Sequence, residues 1–108
     1  MLHVFICEDD RKYGKILCNH IADYIQKRRL DMEIALCTDS ANDIVRYIKD
    51  KHVDGLYFLD IELNSKHNGV EVASTIRTFD PRGYIVFVTA HPRYAPMMDA
   101  LFFKRMIG

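Results

Sequence analysis

Two groups of acidic residues each follow an apolar run of the chain. The first run is followed by Glu8, Asp9 and Asp10, and the second run, residues 56–59, ends on Asp60. A carboxylate at the end of a buried strand can act as a nucleophile or as a metal ligand. If the two runs form neighbouring strands of one sheet, the carboxylates share one acidic pocket.

Such a pocket favours a divalent cation. Carboxylates that lie close together repel one another and partly protonate unless a cation neutralises them. Mg²⁺ suits Glu8, Asp9 and Asp60 best, because it binds through one or two carboxylates and completes its shell with water and phosphate oxygens. Zinc is disfavoured, since the set contains no soft ligand. A phosphoryl group in line with Asp60 would allow that carboxylate to form an aspartyl phosphate, and Thr89, which ends a later apolar run, could donate its hydroxyl to a phosphoryl oxygen.

The same acidic residues also have an ordinary structural explanation. Acidic residues directly before a helix are commonly N-caps, and the segment 8–10 taken alone is better explained in this way. The combination favours a site, because two acidic strand ends coincide with a hydroxyl at the end of the next strand.

The elements that position these residues alternate between strand and helix. Apolar runs predict strands at residues 4–7, 32–37, 56–60 and 84–88, and helical spacing of apolar residues predicts helices at 13–25, 43–48 and 70–76. Ser40 followed by Asp43 predicts a capped start for the second helix, and residues 80–83 (DPRG) predict a turn. Strands that are apolar throughout predict a parallel α/β sheet with helices on both faces. In the flavodoxin-like strand order 2-1-3-4(-5), the ligand crevice opens where strands 1 and 3 end.

The composition of the chain argues against several classes of function. The chain has 108 residues, which suits one domain. Its 15 basic and 15 acidic residues give no overall positive field for nucleic acid or an anionic membrane. Cys7, Cys18 and Cys37 form no C-x-x-C pair, which favours a reducing, cytoplasmic location over a fold built on disulfides. Cys7 and Cys37 lie in apolar runs and are predicted to be small buried hydrophobes.

Three segments resemble the motifs of bacterial response-regulator receiver domains in order and spacing: residues 6–10 (ICEDD), 58–63 (FLDIEL) and 87–91 (FVTAH). They are similar in particular to the receivers of LytTR-type transcriptional regulators, such as accessory-gene and competence regulators. The resemblance implies a CheY-like fold and a two-component signalling domain rather than an enzyme, although such a domain can catalyse its own phosphotransfer and dephosphorylation.

The resemblance also implies individual roles. Asp60 would be the phosphoacceptor, Asp9 a direct Mg²⁺ ligand, Glu8 a ligand through water, Glu62 a ligand through its backbone carbonyl, and Thr89 the switch hydroxyl. Asp10 and His91 are auxiliary candidates. The phosphoryl donor would be a sensor histidine kinase, and the output would be dimerisation and transcription through a DNA-binding domain.

The resemblance ends near residue 100. Lys104 follows Thr89 too closely to come after both a fourth helix and a fifth strand, so the family's lysine role is not assigned to it. We therefore expect residues 1–108 to be a C-terminally truncated receiver that lacks the fifth strand, the fifth helix and the DNA-binding domain. An open fourth strand predicts a homodimer or a segment-exchanged dimer, with contacts from residues 97–103.

Two other functions remain open at this point. A pseudo-receiver would have the same fold but act as an interaction module without phosphorylation. A haloacid-dehalogenase-type phosphatase also uses an aspartate at a strand end, but it carries its second acid two residues further on and normally places this motif on the first strand. Here Asp60 and Glu62 lie in the middle of the chain, so this function ranks last.

Overall fold

Strands and helices alternate along the chain, as the sequence predicts. The computed structural model of the protein describes residues 1–60 and 69–88. The strands are β1 (Leu2–Cys7), β2 (Met32–Thr38), β3 (Gly55–Asp60) and β4 (Tyr84–Val88), and the helices are α1 (Arg11–Arg28), α2 (Ala41–Lys49) and α3 (Gly69–Phe79). Every strand and helix expected in these residues is therefore confirmed.

The strands form one parallel sheet in the order β2-β1-β3-β4, which confirms the flavodoxin-like arrangement. Cys7 of β1 lies opposite Leu59 of β3, and Asp60 lies opposite Val88 of β4. The carboxyl ends of the two central strands, β1 and β3, therefore meet at the same edge of the sheet. The expected lack of a fifth strand and a fifth helix concerns residues outside the described part of the chain and stays a prediction.

One face of the sheet packs against α2 and α3. Successive strand residues point to opposite faces, so every second side chain reaches this core. The rings of Phe5 and Tyr57 stack with their centroids 4.9 Å apart. The buried side chains of the core are Phe5, Cys7, Ile44, Ile48, Tyr57, Leu59, Val72, Ile76, Ile85 and Phe87.

The other face of the sheet carries α1. Ile6 points away from the core that holds its neighbours Phe5 and Cys7, and it lines a cavity beneath α1. None of the 18 residues of α1 is buried, whereas the shorter α2 buries Ile44 and Ile48. α1 is thus held less by burial than α2 is. Within the described residues, no helix combines the length and the apolar character needed to cross a membrane.

A buried carboxylate forms hydrogen bonds at the other end of the strands, where β3 and β4 begin. Asp80 is 6% exposed, and its Oδ2 accepts hydrogen bonds from the Gly55 backbone N–H at 3.1 Å and the Tyr57 hydroxyl at 2.7 Å. The Gly83 N–H donates to the Asp80 carbonyl at 3.1 Å, which confirms the predicted turn. A Cβ on Gly83 would lie 2.6 Å from Asp80 Oδ2, so only glycine fits this close approach.

The start of α2 differs in detail from the prediction. Ser40 occupies the N-cap, but its side chain makes no capping hydrogen bond. Instead, the Thr38 hydroxyl donates to Asp43 Oδ2 at 2.5 Å, and the Ser40 N–H donates to Thr38 Oγ1 at 3.0 Å. The last residue of β2, rather than the cap side chain, therefore links the strand to the first turn of the helix.

The expected burial of two cysteines is correct for Cys7 and wrong for Cys37. Cys7 is buried and free, as expected. Cys37 is exposed rather than buried, because β2 is an edge strand of the described sheet. It forms a disulfide with Cys18 of α1, so two of the three cysteines pair despite lacking any motif spacing.

Candidate functional site

The two central strands bring acidic residues together at their carboxyl ends. Because Cys7 and Leu59 are partners in the sheet, the next residues, Glu8 and Asp60, lie side by side. Glu8 and Asp60 are 4% and 3% exposed, whereas Asp9 is exposed to solvent. Each of the three residues offers a carboxylate oxygen, and these oxygens all lie within 4.8 Å of one another. The structure thus brings together the three carboxylates that the sequence placed in one pocket.

This arrangement is electrostatically costly without a cation. Burial raises the pKa of Glu8 to about 8, and a hydrogen bond to Asp60 and the charge of Asp60 add to that effect. The pKa of Asp9 is also raised, first by burial and then by the charge of Asp60. In the metal-free pocket, Glu8 therefore retains its proton at neutral pH.

The residues present fit a hard divalent cation. Glu8 Oε2 is buried and has no hydrogen-bond partner among the described residues, and buried polar oxygens normally have one. The three carboxylates supply only oxygen ligands, which suit Mg²⁺ and do not suit zinc. Cys7 adjoins the pocket, but burial and the nearby acids raise the pKa of its thiol to about 12. It therefore stays protonated and supplies no thiolate ligand.

The first turn of α1 supports this pocket from the side. The Asp10 side chain accepts a hydrogen bond from the Tyr13 backbone N–H at 3.1 Å and so caps the helix. A Cβ on Gly14 would lie 3.3 Å from Glu8 Cβ, a tight contact that favours glycine at this point. Asp10 is not among the three clustered carboxylates. Its observed role is therefore that of the N-cap, which the sequence offered as the ordinary explanation.

Several residues predicted for the site lie outside the described part of the chain. These are Glu62, Thr89 and His91, together with Lys104. The strand that precedes Thr89 is described, and its last residue, Val88, pairs with Asp60. The roles expected of Glu62, Thr89 and His91 remain predictions, and no site role is assigned to Lys104.

Sequence reasoning missed a second feature next to the pocket. A cavity of about 440 Å³ lies between α1 and the ends of β1 and β2, and Glu8, Arg11, Lys15 and both bonded cysteines line it. Arg11 Nε and Asp39 Oδ2 form an ion pair of 2.8 Å across the same elements. The only sequence signal was the helical spacing of residues 11, 15 and 18, which places them on one face of α1.

Comparison with known proteins identifies the family. Residues 4–104 match the family described as response regulator receiver domain. The chain therefore belongs to the response-regulator receiver family, a class of two-component signalling proteins, as its fold and its acidic pocket indicate.

Curated relatives agree with this assignment. Over 90 residues, the chain is 42% identical to accessory gene regulator protein A of Staphylococcus aureus strain N315 and 39% identical to accessory gene regulator protein A of Staphylococcus epidermidis. Each alignment covers 83% of this chain but only 38% of the relative. The chain thus spans well under half the length of these regulators.

Solved structures share the fold. The response regulatory domain of protein mrkE from Klebsiella pneumoniae superposes with a TM-score of 0.61 at 29% identity, covering 92% of this chain and 75% of that one. Response regulator protein TrrA from Thermotoga maritima, solved in complex with Mg²⁺-BeF, gives a TM-score of 0.67 at 21% identity, covering 94% of this chain and 80% of that one. These matches confirm the predicted CheY-like fold class.

Proposed function

We propose that Asp60 accepts a phosphoryl group from the phosphohistidine of a sensor histidine kinase in a Mg²⁺-dependent reaction. The observation that carries this proposal is the convergence of Glu8, Asp9 and Asp60 at the ends of the two central strands, with their oxygens within 4.8 Å. Glu8 Oε2, which is buried and has no hydrogen-bond partner within residues 1–60 and 69–88, supports the binding of a cation. The Mg²⁺-BeF complex of the structurally similar TrrA protein is consistent with it.

The chain's own residues define the chemistry. A carboxylate oxygen of Asp60 attacks phosphorus, forms the acyl phosphate bond and displaces the ring nitrogen of the kinase histidine. Asp9 would bind the cation directly, Glu8 would bind it through water, and the backbone carbonyl of Glu62 would be a further ligand. The chemistry that bound Mg²⁺ would supply is neutralisation of the carboxylates and of the phosphoryl charge. Water attack on the same phosphorus would later restore the carboxylate of Asp60.

The output proposed for this reaction is conformational. The hydroxyl of Thr89 would donate to the new phosphoryl group, with His91 as an auxiliary contact, and the segment after β4 would change its position. The change would promote homodimerisation and, in a longer regulator, transcription through a LytTR-type DNA-binding domain. The similarity to accessory gene regulator protein A over 38% of its length supports this part. The kinase partner and a cytoplasmic location belong to the same proposal.

Intact-mass measurement after incubation with acetyl phosphate and Mg²⁺ tests the reaction. We expect one phosphoryl adduct in the wild-type chain and none after Asp60→Asn or in the presence of a chelator. Asp23→Asn is the matched control, because Asp23 is an exposed carboxylate of α1 far from the pocket in sequence, and it should load normally.

The same experiment separates the alternative function. A folded protein that binds Mg²⁺ but gives no adduct would contradict phosphotransfer and leave a pseudo-receiver that works as an interaction module. An adduct that persists in Asp60→Asn would place the phosphoacceptor elsewhere and overturn the assignment of Asp60.

A further inference from the structure

The disulfide between Cys18 and Cys37 has no part in the proposed phosphotransfer. It joins α1 to β2, and its Cα atoms lie 6.7 Å apart, within the range of about 4.4–6.8 Å seen in natural disulfides. The backbone of two different elements, separated by 19 residues in the chain, therefore places these side chains for bonding.

The two bonded cysteines are accessible, and the third is not. Cys37 is exposed and Cys18 is half-buried, and both line the cavity of about 440 Å³ beneath α1. Cys7 has no exposed surface. A dissolved thiol or disulfide can therefore reach the first two sulfur atoms but not the third.

Charged side chains line the cavity beside the two bonded cysteines. Lys15 and Arg11 line it together with Cys18, and all three residues share one face of α1. Glu8 and Asp39 also line the cavity, and Asp39 pairs with Arg11. The acidic and basic side chains of the lining balance, so position and exposure, rather than local charge, distinguish the two bonded cysteines from Cys7.

We propose that Cys18 and Cys37 form a reversible redox site that links α1 covalently to β2 in response to low-molecular-weight disulfides of the glutathione type. One cysteine thiolate attacks such a disulfide, forms a mixed disulfide and releases one small thiol. The other cysteine thiolate then attacks the mixed disulfide, forms the Cys18–Cys37 bond and releases the second small thiol. The two cysteines lose two electrons, the small disulfide gains two, and the two thiol protons pass to the released thiols.

The position of the bond gives it a structural effect. α1 has no buried residue, so a covalent link to β2 adds a constraint where packing is weakest. The closed loop of 19 residues also reduces the conformational freedom of the unfolded chain. We therefore expect the oxidised protein to melt at a higher temperature than the reduced protein, by about 10 °C.

Exposure favours reversibility over a permanent role. Accessible disulfides are the ones that exchange readily, and disulfides in the cytoplasm are usually transient and redox-sensing. The transient nature of the bond rests on the proposed cytoplasmic location. The redox site itself does not depend on phosphotransfer, so the two proposals can fail separately.

The test is a thiol count across glutathione buffers that range from fully reduced to fully oxidised. The protein is equilibrated in each buffer, quenched with an alkylating reagent and analysed by intact mass and peptide mapping. We expect alkylation of Cys18 and Cys37 to disappear together with one midpoint, while Cys7 reacts only after denaturation. Thiols that stay alkylatable in every buffer would overturn the proposal, as would a bond that stays closed at the reducing end.

Cysteine variants test which residues form the bond. Cys18→Ser should trap a glutathione adduct on the exposed Cys37 and form no internal bond. The double variant Cys18→Ser/Cys37→Ser should give a melting temperature that does not change with the glutathione ratio. A redox-dependent melting temperature in that double variant would assign the effect to another group and contradict the proposal.

Discussion

Glu8 is a carboxyl group whose burial disfavours its ionised form. Its side chain is 4% exposed and adjoins two other carboxylates. In the part of the chain that the structure describes, its Oε2 has no hydrogen-bond partner. Burial raises its pKa to about 8. An arrangement that is unfavourable for an ionised carboxylate becomes favourable when a cation is bound, because the cation removes both the repulsion and the unsatisfied oxygen.

The first prediction concerns the pH dependence of metal-free stability. Glu8 ionises at about 8 in the folded protein against an ordinary value of 4.5, so between these values the folded state binds more protons than the unfolded state. The free energy of unfolding of the metal-free protein should therefore fall as pH rises from 4.5 to 8. Mg²⁺ should raise the melting temperature more at pH 8 than at pH 6. At pH 8, fewer of the molecules carry the Glu8 proton that the cation must displace.

Two variants check the assignment of this effect. Glu8→Gln should flatten the pH slope of the melting temperature and reduce the stabilisation by Mg²⁺. Asp23→Asn changes an exposed carboxylate in a surface ion pair and should leave both unchanged. A wild-type slope that survives in Glu8→Gln would show that another group is responsible.

The second prediction separates the two roles considered for Asp10. As an N-cap that accepts from the Tyr13 N–H, Asp10 can be replaced by Asn without loss, whereas Asp10→Ala should lower the free energy of unfolding by about 1 kcal/mol. Chemical denaturation measures both. If Asp10→Asn instead weakened Mg²⁺ binding as much as Asp9→Asn does, Asp10 would act as a metal ligand.

The sequence predicted correctly where Asp60 and Glu8 lie, because each adjoins an apolar run and strand ends can be read from such runs. Asp80 was read only as part of a turn, because its partners Gly55 and Tyr57 lie 25 and 23 residues away. The pairing of Cys18 with Cys37 was missed for the same reason, since it depends on how α1 packs against β2.

Among the elements, α1 and α2 are held in different ways. α2 buries two isoleucines in the core, and a side-chain hydrogen bond joins its first turn to the end of β2. α1 has no buried residue and is joined to β2 and the loop that follows it by a disulfide and an ion pair. The sequence predicted both helices correctly from apolar spacing. It could not predict this difference, because apolar residues on a helix surface do not reveal how completely the neighbouring sheet covers them.

The third prediction tests the buried link between β3 and the turn before β4. Burial and the hydrogen bond to Asp80 raise the pKa of the Tyr57 hydroxyl, so it stays a neutral donor. Tyr57→Phe removes that donor and leaves the buried Asp80 carboxylate with less compensation. We expect the free energy of unfolding to fall by about 1–3 kcal/mol in urea denaturation.

Tyr24→Phe is the matched control for this change. Tyr24 is 55% exposed on α1, and removing its hydroxyl should change stability by less than about 0.5 kcal/mol. The Asp80 network lies at the opposite ends of the strands from the acidic pocket. The Tyr57→Phe protein should therefore still accept a phosphoryl group under conditions where it is folded. Equal effects of the two variants would contradict a structural role for the Tyr57 hydroxyl.

At the scale of the whole molecule, the edges of the sheet determine how copies can associate. In the described residues, β2 and β4 are the outer strands of the sheet, and exposed strand edges can pair with another chain. Tyr84, at the start of β4, is 54% exposed, and with a formal net charge of zero the molecule has little overall repulsion between copies. These features are consistent with the predicted homodimer and suggest where it can be weakened.

The fourth prediction is that the protein forms a concentration-dependent dimer through β4. Tyr84→Lys should lower the dimer fraction measured by sedimentation velocity, because a lysine at an exposed strand edge disfavours strand pairing. Tyr24→Lys is the matched control, since Tyr24 is exposed to nearly the same extent, 55% against 54%, but lies on α1. Equal weakening by both substitutions would point to a non-specific charge effect. A wild-type protein that sediments as a monomer at every concentration, with and without acetyl phosphate and Mg²⁺, would contradict the dimer altogether. A dimer that appears only after phosphorylation would show that phosphorylation at the acidic pocket controls association, and that the exposed strand alone does not cause it.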